Sequence, residues 1–558
     1  MRAPLLLTAA CLLLFFTGLG SVPFYTRGEP REALVAREMI RTGEWLVPAR
    51  PEGELTRKPP VFYWASATFL ALLPDRPELA ARLPSALLGT AGVLLTWAVV
   101  RASFGAAVAL PAALILATAL EWIRAATAAR VDMALVAGLT LLFGAWLVAL
   151  SRGRSKLGAG LFAMAAVGAV VATLAKGPVA LVLPALAAGA LVVAGRDPGL
   201  LPRLDVIPVL VLGGAIAGLW YGAAFAKHGW AFFDIIAKEN WLRYVDSEDA
   251  GTGHSHGFIY LPLVGLVGLL PWTPLLPLAG AALADPARRT PGVTFAASWV
   301  GVTLAFFSLA AAKRSVYLLP LFPALALLVA LGVEEPPRNG RLAGLTRATS
   351  ALYAPALVLL AAGAVALAFG RDVVALIRPW LKPHDAQTTL AIVAVAKPAI
   401  PELLIMAGLA LAAATLVVRA RRAGDWRRLV MVVALLTTLW TAAIGVWLRP
   451  PIGRAASLQP FMARLDGIVP ADAPLYAIFT PDVGLRFYAP RRLEPWRASS
   501  RGPAYLLLWE DERKRWRDEH GKPLEPLAVS EAQQASHGAL NLVFVPPDAT
   551  LRVSPGAR

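Results

Sequence analysis

Long apolar runs alternate with short polar breaks along most of the chain. The runs are about 17–25 residues long, the length of helix that crosses the hydrocarbon core of a bilayer. We therefore predict about thirteen spanning helices. Their approximate bounds are 4–22, 79–100, 106–122, 132–150, 158–175, 178–194, 205–226, 258–278, 293–311, 315–333, 349–369, 401–419 and 428–448. The apolar piece from Val61 to Leu73 ends at Pro74 and is too short to cross, which predicts a helix beside the membrane.

Composition supports a polytopic membrane protein and excludes a soluble helical bundle. The chain is 57% hydrophobic and 16% charged, whereas soluble domains carry roughly 25% charged residues. Many runs also lack the polar stripe of a surface helix. The first run, Leu5 to Val22, follows Arg2 and lacks a clear small-x-small cleavage site, which favours an uncleaved helix over a signal peptide.

The formal net charge of +17 comes largely from short loops, so membrane orientation explains most of it. Basic residues concentrate in the loops after even-numbered spans, for example Arg338, Arg341 and Arg347. The positive-inside rule places these loops and the N-terminus in the cytoplasm of a bacterial inner-membrane protein. The odd-numbered loops and the tail would then be extracytoplasmic. The single cysteine, Cys11, excludes a disulfide within the chain and a cysteine-based metal site.

Two domains are predicted. Residues 1–450 form an all-α membrane domain whose first extracytoplasmic loop is 23–78, and residues 451–558 form a small extracytoplasmic α/β domain. The tail has no spanning run, but Leu475 to Phe479, Tyr505 to Leu508 and Leu542 to Val545 are typical of strands. The polar stretch Glu510 to His520 predicts a helix.

The segment 27–64, which we call the first arm, departs most from the apolar background. It carries six acidic and seven basic residues, so it is too polar to span and lies at a surface. Glu29 could act as a general base toward a substrate hydroxyl, or it could be a solvated carboxylate paired with Arg31. Lys58, held before Pro59 and Pro60, could bind a phosphate or snorkel to lipid headgroups.

Other outer loops add further candidates, each with a structural alternative. Asp132 could serve chemistry or cap its helix, and Lys176 in a tight Lys-Gly-Pro turn could bind phosphate or only mark a helix end. His254 and His256, with Glu239 and Asp249 upstream, could hold a divalent metal, but substrate contact or loop structure explains them better. Lys313 and Arg314 suit a phosphate or a lipid headgroup.

These residues are predicted to lie at one face of the membrane. The acidic residues could accept a proton from a hydroxyl, and the basic residues could bind a phosphate. Polar groups at membrane depth are costly and mark functional sites. A polyprenyl-phosphate sugar, which combines a long lipid, a phosphate and a sugar, fits such a pocket.

The first arm resembles bacterial C-type glycosyltransferases of the protein O-mannosyltransferase-like group, which includes the lipid A 4-amino-4-deoxy-L-arabinose transferase. The matching residues in the arm are Glu29, Arg31, Ala36-Arg37-Glu38-Met39, Gly43-Glu44-Trp45-Leu46-Val47-Pro48, Lys58-Pro59-Pro60 and Phe62-Tyr63-Trp64. Later matches are Arg82-Leu83-Pro84-Ser85, Asp132, Lys176-Gly177, Glu239-Asn240 with Arg243, His256, Pro271-Trp272, Lys313-Arg314 and Tyr317-Leu318-Leu319-Pro320. The resemblance covers about residues 1–335, and beyond them only the layout agrees.

The resemblance implies transfer of a sugar from a polyprenyl-phosphate carrier to an extracytoplasmic lipid, glycan or protein, with inversion at the sugar. It implies catalytic roles for Glu29, Lys58 and Asp132. Substrate-binding roles are implied for Arg31, Tyr63, Arg130, Lys176, Glu239, Arg243, His256, Lys313, Arg314 and Tyr317. It implies membrane lipids as surroundings, no nucleic acid and no nucleotide or redox cofactor, and it leaves a divalent metal open.

Two positions depart from the family pattern. Gly28 stands where many members have an aspartate, and Arg57 stands where the aminoarabinose enzymes have an acid. Two alternatives therefore stay open: a lipid-linked sugar transporter or flippase, and a catalytically silent envelope-assembly protein.

Overall fold

A computed structural model describes residues 2–24, 26, 28–153, 156–195, 197–245, 256–369, 379, 400–479, 481–496, 504–517, 524–534, 538–546 and 552–553. The chain forms two compact units. The first comprises Met1–Leu19, Val35–Val365 and Glu402–Ala443, and the second comprises Gly20–Leu34, Ala366–Pro401 and Ile444–Arg558.

The first unit is helical. Its helices, with α2 continuing into it from the second unit, are α1 (Arg2–Cys11), α2 (Gly28–Thr42), α3 (Val61–Leu72), α4 (Pro77–Phe104), α5 (Ala106–Thr118), α6 (Leu120–Ala126), α7 (Asp132–Ser151), α8 (Ala159–Lys176), α9 (Val179–Gly195), α10 (Leu200–Arg203), α11 (Val206–His228), α12 (Trp230–Ala237), α13 (Arg243–Val245), α14 (Tyr260–Gly268), α15 (Leu276–Ala284), α16 (Pro291–Leu309), α17 (Phe322–Glu334), α18 (Gly340–Ser350), α19 (Tyr353–Ala368), α20 (Ile400–Arg422) and α21 (Trp426–Ala443). A 3-10 helix, Ser315–Leu321, precedes α17, and π-helical turns cover Leu12–Phe16, Lys238–Leu242 and Ile444–Leu448.

Within the described residues, nine helices are long and apolar enough to cross a membrane, or up to eleven if each of two bent helix pairs is one span. The predicted class of polytopic helical membrane protein is confirmed, while the count of about thirteen spans stays a prediction. The short apolar piece after Pro60 forms α3, and its location beside the membrane stays a prediction.

Two predicted spans are broken rather than straight. The run at 106–122 is α5 and α6, bent by 64°, and the run at 258–278 is α14 followed by the helix Thr273–Ala284, bent by 103°. The two breaks bond to each other: the Leu120 N–H donates to the Leu270 carbonyl over 2.9 Å, and Trp272 Nε1 donates to Thr118 Oγ1 over 3.0 Å. These bonds satisfy polar groups that helix breaks expose in an apolar setting.

The helices α7 and α8 form a closely packed antiparallel hairpin. A Cβ added to Gly138 would lie 2.7 Å from the Gly168 carbonyl oxygen, and one added to Gly168 would lie 2.5 Å from that of Gly138. Small residues that let two backbones approach are typical of membrane helix packing. This contact brings the first residue of α7, Asp132, beside the last residue of α8, Lys176.

The second unit contains a five-stranded sheet in the order β2-β1-β3-β6-β5. Its strands are β1 (Leu475–Ala477), β2 (Leu493–Pro495), β3 (Ala504–Trp509), β5 (Pro526–Gln534) and β6 (Gly538–Val545), with β4 (Trp516–Arg517) and β7 (Arg552–Val553) in a separate pair. The strand β1 runs parallel to β2 and β3, whereas β6 runs antiparallel to β3 and β5. Four helices accompany the sheet: α22 (Arg449–Ala456), α23 (Gln459–Leu465), α24 (Val483–Tyr488) and α25 (Glu510–Arg515).

The predicted small α/β domain is thus confirmed, with one local correction. The predicted helix 510–520 ends at Arg515, because Trp516 and Arg517 pair with β7 instead. One face of the sheet buries Leu507 and Leu542 against Phe461 and Leu465 of α23, which explains the alternating apolar positions of β3 and β6.

The hairpin packing can be tested with Gly168→Ala. We expect a loss of about 1–3 kcal/mol, because the new methyl has no room between α7 and α8. The matched control is Gly189→Ala on α9, whose added Cβ meets nothing within 4 Å and which should be neutral or slightly stabilising. Thermal unfolding in detergent, followed by tryptophan fluorescence, compares the two. Equal effects of both substitutions would contradict close packing at Gly168.

Candidate active site

A cavity of about 670 Å³ lies in the first unit. Its wall is built by the end of the first arm, the turn between α8 and α9, the helix α12 with its following turn, Tyr244, the end of α16, and Tyr317. Among the described residues, three cations line it, Arg57, Lys58 and Lys176. Most of the remaining wall is apolar, including side chains such as Phe233, Phe306 and Phe307. The cavity can therefore accept a ligand that is anionic in one part and apolar in another.

Lys58 sits at a fixed position in the cavity wall. The Thr56 hydroxyl donates to the Lys58 carbonyl over 3.1 Å, and the buried Pro59 and Pro60 follow directly before α3 begins at Val61. Proline restricts the backbone on both sides of this turn. The lysine is thus presented from a rigid turn.

Lys176 is held by a buried carboxylate and an aromatic ring. Its ammonium donates to Asp132 Oδ1, and it lies 4.7 Å from the centroid of the Tyr317 ring. Asp132 is only 7% exposed, and Lys58 and Arg130 also act on it electrostatically. A buried charge requires such partners, so the ion pair fixes the ends of α7 and α8 relative to Tyr317.

Ser85 of α4 positions Arg130. Its hydroxyl accepts from the Arg130 N–H and donates to the Arg130 carbonyl, both over 3.2 Å. In the same motif, the buried Arg82 donates to the Leu19 carbonyl over 2.9 Å. The Arg82-Leu83-Pro84-Ser85 motif therefore holds the backbone at Leu19 and Arg130 in place.

Glycine at position 177 allows the turn after α12 to approach the turn between α8 and α9. The φ of Gly177 is +85°, and an added Cβ would lie 2.9 Å from Asn240 Oδ1 and 3.1 Å from the Tyr221 hydroxyl. The Asn240 amide in turn donates to the Ile236 carbonyl over 2.9 Å. No other residue meets both the conformational and the steric demand at this position.

The Gly-Glu-Trp-Leu-Val-Pro stretch of the first arm attaches the arm to α11 and α3. Trp220 Nε1 donates to the Leu46 carbonyl and Trp64 Nε1 to the Trp45 carbonyl, each over 2.7 Å. The Glu44 carboxylate accepts from Lys227 and from the Leu46 and Val47 N–H groups. The hydrogen bond from Lys227 lowers the pKa of the Glu44 carboxyl.

The structure brings Lys58, Lys176, Glu239 and Tyr317 to one cavity. Asp132 pairs with Lys176, and Arg130 acts electrostatically on Asp132. Tyr63 is buried in α3, with its ring 6.1 Å from that of Phe62. Glu29 and Arg31 are grouped with the second unit. Glu29 is buried and is the second residue of α2, and Arg31 pairs with Glu32 over 2.7 Å.

Lys313 is hydrogen-bonded to two backbone carbonyls, and its role as a phosphate ligand stays a prediction. Its ammonium donates to the Ala310 carbonyl over 2.6 Å and to the His256 carbonyl over 2.8 Å. The first of these bonds satisfies a carbonyl at the C-terminal end of α16. Neither Lys313 nor Arg314 is among the described residues that line the cavity. The His256 ring stacks on Tyr260 at 4.0 Å.

The metal hypothesis stays a prediction. His254, Asp249 and the side chain of Arg243 lie outside the described residues. In the part of the chain that the structure does describe, no three histidine, cysteine or acidic side chains are grouped to hold an ion.

Glu121 is a buried polar residue that was not among the predicted site residues. This carboxylate is 2% exposed, and it accepts from Ser315 Oγ over 3.0 Å and from Arg124 over 2.7 Å. Ser315 begins the 3-10 helix that carries Tyr317, so Glu121 anchors that part of the cavity wall. A glutamate inside an apolar run was the available signal.

Comparisons with known proteins agree with this architecture. Residues 57–219 match the family model described as dolichyl-phosphate-mannose-protein mannosyltransferase. Among curated proteins, the undecaprenyl phosphate-alpha-4-amino-4-deoxy-L-arabinose arabinosyl transferase of Aeromonas salmonicida (strain A449) is 25% identical over 333 residues, covering 59% of this chain and 60% of that protein. The protein of the same name from Yersinia pestis (strain Pestoides F) is 27% identical over 349 residues, covering 60% and 61%. The alignments thus span about three-fifths of these relatives.

Two crystal structures of ArnT from Cupriavidus metallidurans share the fold. The structure bound to undecaprenyl phosphate superposes with a TM-score of 0.73 at 21% identity, covering 96% of this chain and 97% of that one. The apo structure gives 0.70 at 22% identity, covering 91% and 93%. The resemblance to the protein O-mannosyltransferase-like and aminoarabinose transferase-like group is confirmed, as is the predicted fold, and the chain is a multi-pass bacterial membrane protein.

The buried ion pair gives a stability prediction. Lys176→Met leaves Asp132 buried without its direct partner, which we expect to destabilise the protein by about 3–5 kcal/mol. Adding Asp132→Asn should restore part of this loss. The control Lys227→Met removes a partly exposed pair with Glu44 and should cost about 1 kcal/mol or less.

Thermal unfolding in detergent measures all three variants. If Lys176→Met and Lys227→Met destabilise the protein equally, the Asp132–Lys176 pair is not the buried linkage described above.

Proposed function

We propose that this protein is a membrane glycosyltransferase that moves a sugar from a polyprenyl-phosphate carrier to an extracytoplasmic acceptor. The observation that supports this proposal most strongly is that Lys58 and Lys176 line the same cavity as an apolar wall. A polyprenyl-phosphate sugar has a phosphate that the cations can bind and a lipid chain that the apolar wall can contact. The names of the relatives and the lipid bound to the C. metallidurans neighbour support the same donor class.

In the proposed reaction, an acceptor oxygen attacks C1 of the sugar while the C1–O bond to the phosphate breaks. Negative charge then develops on the departing polyprenyl phosphate, and a fixed cation lowers the energy of that transition state. Lys58 supplies this charge from its rigid turn. Lys176, oriented by Asp132 and Tyr317, supports the same phosphate.

The acceptor proton requires a base if the acceptor is a hydroxyl. Asp132 already accepts a hydrogen bond from Lys176, which favours a role in positioning that lysine. The family resemblance implies Glu29 as that base, beside Gly28, where many members have an aspartate. An acceptor that is itself a phosphate would need little base catalysis.

Arg57 affects which donor sugar the cavity would accept. This arginine lines the cavity, and it occupies the sequence position at which the aminoarabinose enzymes have an acidic residue. A guanidinium repels an ammonium group, so this position favours a donor sugar without a positive charge. The proposed acceptor class includes lipid A-like lipids, glycans and proteins.

The proposed location of the cavity follows from the distribution of basic residues among the loops. The cavity residues come from loops that the positive-inside rule assigns to the extracytoplasmic side of the inner membrane, with the N-terminus in the cytoplasm. A polyprenyl-phosphate donor on that face would reach the cavity from the lipid.

The donor assignment is tested by binding. Native mass spectrometry of the protein in detergent compares undecaprenyl phosphate with undecaprenol, which lacks the phosphate. We expect the wild type to prefer the phosphate, and Lys58→Ala to weaken undecaprenyl phosphate binding about tenfold or more, because a charge-assisted hydrogen bond contributes about 1.5–3 kcal/mol.

Lys238→Ala is the matched control, since that lysine is half-exposed and pairs with Asp234 over 2.7 Å. A preference that survives Lys58→Ala unchanged would assign Lys58 to lipid headgroups and remove it from the donor site.

A further inference from the structure

Two polar segments of the first unit lie where four candidate membrane spans end or begin. Segment 334–350 runs from the end of α17 through α18, and segment 419–428 runs from the end of α20 to the start of α21. Together they contain eight arginines but only three acidic residues. The ends of spanning helices lie near the headgroups of a bilayer. We call the surface formed by these two segments the arginine patch.

Hydrogen bonds and an ion pair hold the two segments side by side. Arg421 Nε donates to Ser350 Oγ over 3.0 Å, and Arg421 Nη2 donates to the Arg347 carbonyl over 2.9 Å. Arg427 adds an ion pair with Glu334. The two segments therefore present their charged side chains on one connected surface.

The acidic residues of the patch already have partners. Besides the pair formed by Glu334, Glu335 pairs with Arg288 over 2.9 Å, and the Asp425 carboxylate accepts from the Arg428 N–H over 2.9 Å. Five exposed arginines, by contrast, form no ion pair with any described residue: Arg338, Arg341, Arg419, Arg422 and Arg428. Their guanidinium groups are therefore available to an anionic ligand.

Exposed leucines lie on the same part of the molecule. Leu345 follows Arg341 by one turn of α18, so the two share a face of that helix. The Leu345 side chain is 50% exposed, and Leu352, just after α18, is 58% exposed. Another face of α18 is packed within the unit and includes the buried residues Ala343, Thr346 and Ser350. The patch thus combines positive charge with apolar surface.

We propose that the arginine patch binds an anionic phospholipid of the surrounding membrane. The planar guanidinium group matches a phosphate with two parallel hydrogen bonds, and clusters of basic residues beside a spanning helix attract anionic lipids. The acyl chains of the same lipid would contact Leu345 and Leu352. An anionic phospholipid therefore satisfies both the charge and the apolar surface of the patch.

This inference does not depend on the proposed function. None of the described residues that line the cavity belongs to the patch. The positive-inside rule accounts for arginines in these two segments. It does not require the contact between the segments or the pairing of their acidic residues, and these two features leave the exposed arginines for a ligand.

Native mass spectrometry of the delipidated protein in detergent tests the proposal. Phosphatidylglycerol is compared with phosphatidylethanolamine that has the same acyl chains, and we expect the wild type to prefer phosphatidylglycerol. The variant Arg341→Gln/Arg422→Gln/Arg428→Gln should weaken phosphatidylglycerol binding about tenfold or more, because each basic residue near an anionic lipid adds to its attraction. The same three positions changed to lysine should keep most of the binding.

Two controls locate the lipid. The variant Arg76→Gln/Arg454→Gln/Arg515→Gln removes three exposed arginines outside the patch and should leave phosphatidylglycerol binding unchanged. Lys58→Ala should also leave it unchanged, since that lysine lines the cavity. If the triple patch variant does not insert into the membrane, Arg422→Gln alone is measured against Arg76→Gln alone.

Four results would overturn the proposal. The first is equal binding of the two phospholipids by the wild type, and the second is an equal loss of binding in the patch variant and the arginine control. The third is a loss in Lys58→Ala as large as that in the patch variant, which would place the lipid in the cavity. The fourth is displacement of phosphatidylglycerol by inorganic phosphate at the same concentration, which would make the patch a site for a soluble anion.

Discussion

The architecture of the cavity depends on one buried ion pair. Asp132 begins α7 and Lys176 ends α8, and neither charge would be stable in an apolar surrounding without the other. The close approach of Gly138 and Gly168 sets the two helices at the distance that the pair needs. Because Lys176 also lies against Tyr317, the same interaction connects the hairpin to the 3-10 helix before α17.

Other segments of the first unit are held by hydrogen bonds that involve side chains. Ser85 bonds to the backbone of Arg130, Glu121 accepts from the Ser315 hydroxyl, and Trp220 donates to the Leu46 carbonyl of the first arm. Each of these bonds connects a helix to a segment outside that helix. The charged groups of the site thus come from distant parts of the chain. Polar contacts between other side chains and the backbone hold those parts in place.

The sequence was sufficient to predict the helical membrane domain, the small α/β domain and four of the residues that line the cavity, Lys58, Lys176, Glu239 and Tyr317. Apolar run length and the cost of polar groups at membrane depth carry that information locally. The bends were not predictable, because the breaks near Ala119 and Leu270 are stabilised by bonds to each other, and such bonds between distant segments leave no periodic signal. Lys313 illustrates a second limit: its charge predicts a phosphate ligand, a role that stays a prediction, whereas its hydrogen bonds to the Ala310 and His256 carbonyls leave no signal in the sequence. The position of Glu121 was not predictable in the same way, because the run 106–122 predicts one uniform span and nothing in it indicates the hydrogen bond from Ser315.

The central claim is that Lys58 stabilises a departing polyprenyl phosphate during sugar transfer. Mass spectrometry of envelope lipids and surface glycans tests it most directly, in cells where a Lys58→Ala copy replaces the wild type. The account predicts that one envelope acceptor loses its sugar and that sugar-charged polyprenyl phosphate accumulates. Unchanged glycans, with the variant present at normal abundance, would contradict the claim and favour a transporter or a catalytically silent assembly protein.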